Sequence, residues 1–116
     1  MEIQDKQRII QEFVPGKQVT LAHLIANPDP ELYQKLGMVG EQRGSFGIMT
    51  ITPSEGAIIA ADLATKNALV KLVFVDRFSG SLIFSGDVTS VEAALKGIMH
   101  VLGEKMGFTP AEITRT

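Results

Sequence analysis

The segment that most restricts the fold runs from Val70 to Gly86, VKLVFVDRFSGSLIFSG. Two short apolar runs of strand length flank the turn Asp76-Arg77-Phe78-Ser79-Gly80, which reads as a β-hairpin. A turn faces solvent by default, because burying one would leave backbone polar groups unpaired. An aromatic ring at such a tip points to another copy, a partner or a ligand that meets the protein there. The turn offers no obvious catalytic group.

Strands and helices alternate around this hairpin. Ser45 to Thr52, SFGIMTIT, is apolar on both faces, as a central strand should be. Thr52 and Glu55 then have capping-box spacing, and a helix is expected to about Asn67. Ala57, Ala60, Ala61 and Ala64 give it a smooth stripe, and Asp62 can pair with Lys66 one turn on. After the hairpin, Thr89 and Glu92 repeat the capping spacing. A second long helix carries Val91, Leu95, Ile98, Met99, Leu102 and Met106 on one side, and Gly107 stops it. The tail, FTPAEITRT, is short and reads as extended.

Ahead of this core lies Gln18 to Ile25, QVTLAHLI, a strand with Val19, Leu21, His23 and Ile25 expected on one side. Asn27-Pro28 breaks it. Asp29 can cap a short helix with Pro30 at its first position, where a missing N–H costs nothing. Leu32, Tyr33 and Leu36 form its apolar side, Gly37 ends it, and a glycine-containing loop runs to Gly44.

From Ser45 onward the order is strand, helix, strand, strand, helix, one strand short of a split βαβ sandwich. The tail is a poor central strand, whereas Gln18–Ile25 is a good one that sits in front. The expected fold is therefore α+β and ferredoxin-like, circularly permuted, with an antiparallel sheet and helices on one side. Residues 17–116 form this domain, and residues 1–16 are an extension.

That extension contains RIIQEFV, with Ile9, Gln11 and Phe13 on one face and Arg8, Ile10, Glu12 and Val14 on the other. Pro15-Gly16 detaches it from the body. A lone two-sided strand is unstable in water, and an exposed one is an aggregation hazard. Either it packs on its own sheet edge, or copies from several subunits pair around a shared axis and bury Ile9, Ile10, Phe13 and Val14. The residues leave both arrangements open.

Composition bears on partners. Hydrophobic residues make up 45% of the 116 and mean hydropathy is +0.17, apolar enough for some surface to be buried between subunits. A net charge of −2 and the lack of any Lys/Arg run give no reason to expect nucleic acid. With no cysteine, disulfides, thiolate chemistry and Cys-ligated metals are excluded. The charged start MEIQDKQRII is unlike a signal peptide, and no apolar run reaches membrane-spanning length, so a cytoplasmic protein without membrane partners is expected.

Catalytic chemistry finds little footing. His23 and His100 lack metal-ligand spacing and read as hydrogen-bonded structural histidines, so no metal site is expected. Glu55 is accounted for by its cap, and Asp76-Arg77 reads as a solvated pair. No phosphate-binding glycine motif follows a strand, and no cofactor is expected. The chain does not read as an enzyme.

Five blocks of the sequence carry a resemblance: RIIQEFVPGKQVTLAHLIANP, GIMTITPSE, AADLATK, DRFSG and SGDVTSVEAAL. In order and over nearly the whole chain, they closely resemble the circularly permuted shell proteins of bacterial microcompartments. These are the U-type and S-type subunits of propanediol- and ethanolamine-utilisation compartments, in a family that also serves choline and related pathways. The resemblance implies a structural subunit that forms cyclic homohexamers. Such hexamers tile with other shell proteins around encapsulated enzymes and slow the escape of aldehyde intermediates.

The resemblance also implies residue roles. The strand of Ile9, Ile10, Gln11, Glu12, Phe13 and Val14 would join a parallel barrel over the hexamer axis. Arg77, Phe78, Ser79 and Gly80 would line the central pore. Lys66 would lie along the hexamer edge, and Gly44 corresponds to a glycine associated with a bend in the hexamer. The rival from another class is a ferredoxin-like oligomeric regulator that binds a small molecule between subunits.

Overall fold

The computed structural model describes residues 16–38 and 44–116. In chain order these form β1 (Gln18–Ile25), α1 (Pro30–Lys35), β2 (Ser45–Thr52), α2 (Gly56–Asn67), β3 (Lys71–Asp76), β4 (Ser81–Gly86), α3 (Val88–His100) and β5 (Ile113–Arg115). A π-helical turn, Val101–Lys105, prolongs α3. The expected strand at Ile9 to Val14 lies outside the described residues.

Hydrogen bonding orders the sheet β3-β4-β2-β1-β5. β2 is central, antiparallel to both β4 and β1, and most of it is buried on both faces. β1 takes the position that a strand following α3 would fill in a split βαβ sandwich, so the permuted order holds. The sheet is nevertheless mixed, not wholly antiparallel. The tail adds β5 parallel to β1, pairing Ala22 with Ile113 and Leu24 with Arg115. An edge strand needs only one ladder and little apolar content, and the terminal residue completes it. Thr116 N–H donates to the Leu24 carbonyl at 2.9 Å, and Ala26 N–H donates to the Thr116 carbonyl at 3.2 Å.

A bulge corrects the expected face of β1. Its register with β2 shifts between Val19 and Leu21, which flips the alternation after Thr20. Val19, Ala22 and Leu24 are buried, while Leu21 is 41% exposed and shares the outer phase with His23 and Ile25.

The core lies between the inner sheet face and the two long helices. Ala57, Ala60, Ala61 and Ala64 of α2 are buried, as their spacing predicts, and the last three join Met49, Ile51, Leu82 and Phe84 from the sheet in one apolar cluster. Val91, Leu95 and Ile98 of α3 complete it. Gly47 has to be small, because a Cβ there would run into the Phe84 ring and Val91. The helices are not confined to one side, however. Phe46 is out of phase with Met49 and Ile51, and its ring packs against Tyr33 of α1 at 5.3 Å between centroids. That contact puts α1 on the opposite face.

Helix ends follow the sequence in part. Asp29 caps α1 by accepting the Glu31 N–H, and Gly37 leaves it with φ at 77°. The two capping boxes do not form. Thr52 is still paired with Gln18 in the sheet, and Glu55 makes no cap bond. At α3 the cap is Asp87, whose carboxylate accepts the Ser90 N–H at 2.8 Å, while Glu92 pairs with Lys96 at 3.4 Å. A carboxylate at the Ncap outcompetes the threonine two residues later.

Candidate assembly turn and edges

The turn between β3 and β4 is closed by the Gly80 N–H donating to the Asp76 carbonyl at 2.9 Å. The Asp76 carboxylate accepts the Phe78 N–H and the Ser79 hydroxyl, each at 2.9 Å. These two bonds, the Phe78 amide foremost, hold the carboxyl below the ordinary carboxylate range. Gly80 is buried at φ 78°, and its carbonyl accepts the Ile51 N–H at 2.9 Å. A Cβ at Gly80 would collide with the Ile51 carbonyl. The base of the turn is thus locked to the end of β2.

What this base holds up is an exposed aromatic–cation pair. Phe78 is 81% exposed, and the Arg77 guanidinium carbon sits 5.0 Å from its ring centroid. Asp76 and Arg77 are therefore not a solvated pair with each other: one organises the turn and the other stacks on the ring. The signal was present in the sequence, since Asp followed by a free amide two residues on and a serine three on is an Asx-turn pattern. With its carboxylate already engaged, the tip is suited to contact and lining more than to proton transfer.

The other expected site residues lie elsewhere. Gly44 abuts the start of β2, beside the Ser45–Gly86 pairing, whereas the turn lies beyond the Thr50–Ser81 pairing at the other end of that ladder. A Cβ on Gly44 would strike the Gly86 carbonyl, so close backbone approach alone calls for glycine there. Lys66 ends α2 and pairs with Asp62 at 3.0 Å, both side chains exposed. Ile9 to Val14 fall outside the described residues. Glu55 is exposed at the start of α2.

The two histidines are also apart. His100 is exposed at the end of α3. His23 bridges the sheet edge, with Nδ1 2.6 Å from the Thr114 hydroxyl and Nε2 2.8 Å from the Thr116 hydroxyl. That is the structural histidine the sequence suggests, engaged on the outer face.

A further surface was not legible as such. β3 is an outer strand, and Leu72, Phe74 and Val75 on it are 43%, 45% and 38% exposed. Leu69, just ahead, is 86% exposed, and Ile58 on α2 is half exposed. An uncovered strand edge with apolar side chains is a template for association.

Comparison with known proteins gives this geometry its context. The BMC domain model matches residues 45–113. The chain is 57% identical over 109 residues to the bacterial microcompartment shell protein PduU of Salmonella typhimurium, covering 94% of this chain and 93% of that one. It is 54% identical over 112 residues to the shell protein EutS of Escherichia coli K12, covering 97% and 99%. A solved CutR flat hexamer superposes with a TM-score of 0.84 at 49% identity, over 94% of this chain and 99% of that one. The chain belongs to the BMC-domain family of bacterial microcompartment shell proteins.

Proposed function

We propose that this chain is a structural subunit of a bacterial microcompartment shell, assembling as cyclic hexamers that tile around encapsulated enzymes in the bacterial cytoplasm. The observation that carries the reading is identity of 54–57% with named shell proteins over nearly the full chain, joined to the backbone match with a CutR hexamer. It favours a shell role over a small-molecule-binding regulator or an enzyme.

Within such a ring the parts acquire distinct tasks. The apolar edge at Leu72 and Val75 is covered by a neighbouring subunit. Arg77 to Gly80 face the axis, where an anchored turn keeps a pore of fixed width. Narrow polar pores in the tiled shell pass small polar solutes and slow volatile aldehydes, whereas a barrel over this hexamer's axis obstructs the central route. Ile9 to Val14 from each subunit pair as a barrel over that axis. Lys66 meets its counterpart where two hexamers abut, and Gly44 gives the backbone freedom for a bend.

Negative-stain microscopy of the concentrated protein tests tiling. Extended arrays of hexamers are expected, and discrete particles without lateral contacts contradict the proposal.

A further inference from the structure

We propose that a cleft between the end of α1 and the β3–β4 hairpin binds a short-chain monocarboxylate. The cleft has a volume of about 260 Å³ and lies on the sheet face that carries α1. Leu36 and Met38 form one wall, and Lys71, Val73 and Ser85 line the other, with Leu72 at the rim where the shell reading brings a neighbouring subunit.

Two polar groups in it lack partners among the described residues. Ser85 is 4% exposed, yet its hydroxyl makes no hydrogen bond among the described residues. A buried hydroxyl left unsatisfied is costly, and each such group in a folded protein calls for an explanation. Lys71 is paired directly with Ser85 across the hairpin, so both side chains rise from the same sheet face, with Cβ atoms about 5 Å apart. Its ammonium makes no ion pair among the described residues.

Nearby backbone donors are already used. The Gly37 N–H donates to the Gln34 carbonyl at 3.0 Å, and the Met38 N–H donates to the Tyr33 carbonyl at 2.8 Å. What remains is an ammonium and a hydroxyl carried on paired, same-face positions, with no carboxylate among the described lining residues. A carboxylate answers both donors at once, one oxygen to each. The other side chains of the lining, Leu36, Met38, Leu72 and Val73, are apolar and give an alkyl tail of a few carbons something to touch. This inference goes beyond the shell reading and does not depend on it.

The test uses the full chain with propionate as the probe, read by saturation-transfer NMR and calorimetry, with inorganic phosphate as a second arm. Native mass spectrometry of the same samples records the assembly state separately. Saturable propionate binding is expected, with the strongest transfer to the methyl protons. Lys71→Met should weaken it at least about tenfold, and Ser85→Ala severalfold, with the fold unchanged. No saturable binding by the folded protein overturns the proposal. So does unchanged binding by Lys71→Met, or phosphate binding as tightly as propionate. Loss of hexamers with binding retained would count against the shell reading alone.

Discussion

The Asp76 carboxylate accepts the Phe78 amide hydrogen at 2.9 Å, and that bond fixes where the most exposed aromatic ring of the hairpin points. A single acidic side chain thereby converts a flexible loop tip into a defined surface. Because the ring itself buries almost nothing within the subunit, its position rests on this bond and on the Gly80 anchor below it.

Acid should loosen both turns capped this way. The carboxyls of Asp76 and Asp87 sit below their ordinary value of 3.8, the first through the Phe78 amide and the second through the Ser90 amide. A depressed folded value means their stabilisation is complete above the ordinary value and disappears as pH falls through the lower, folded one. Thermal melting should therefore change little between about pH 5 and 8 and fall below about pH 4. The double variant Asp76→Asn, Asp87→Asn should lose part of that acid dependence. An unaltered acid limb would contradict the assignment.

Two glycines should respond in opposite directions. Gly80→Ala must hold a left-handed backbone against the Ile51 carbonyl, and should cost about 2 kcal/mol or more. Gly97 lies within α3 with open space where a Cβ would stand. Gly97→Ala should raise stability by roughly 0.5–1 kcal/mol. Denaturant titration of the two variants checks the contrast.

Removing the bridging histidine should release the tail and little else. His23→Ala deletes both hydroxyl contacts to β5, which is joined to the sheet by only a short ladder. The Thr116 amide, bonded to the Leu24 carbonyl, should exchange about tenfold faster or more, while amides of β2 and β4 keep their protection. Equal exchange at Thr116 in both proteins would deny His23 its role.

How much of this was readable from residues alone depends on how local the cause is. β2 was legible to the residue because a run apolar on both faces has one physical meaning, and the Ala57–Ala64 stripe likewise specified the buried side of α2. The face of β1 was misread because the bulge at Thr20 is a property of pairing with β2, invisible in either strand alone. β5 was missed as a strand because its stability comes from Leu24, Ala26 and His23, distant in sequence. The capping boxes failed for a related reason: Thr52 was already committed to Gln18, and Asp87 competed successfully with Thr89. At the candidate site, Phe78 and Gly80 stood out as an exposed ring and a turn glycine. Asp76 reads as half of a solvated pair with Arg77, although its Asx-turn spacing to Phe78 and Ser79 is a local signal for the role it takes. The apolar edge at Leu72 could not be recognised until β3 was found to be an outer strand.

The edge lysine offers a way to separate subunit stability from assembly. An exposed Lys66–Asp62 pair one helical turn apart contributes at most about 0.5 kcal/mol. Lys66→Ala should leave melting nearly unchanged while abolishing extended arrays and keeping hexamers intact. Arrays that form as before would remove Lys66 from the hexamer edge.

Self-association remains the claim on which the rest stands, and native mass spectrometry of the dilute, unmodified protein addresses it directly. A dominant species at six times the 12.5 kDa subunit mass is expected. A folded, soluble species at the mass of one subunit across the same concentrations would contradict it.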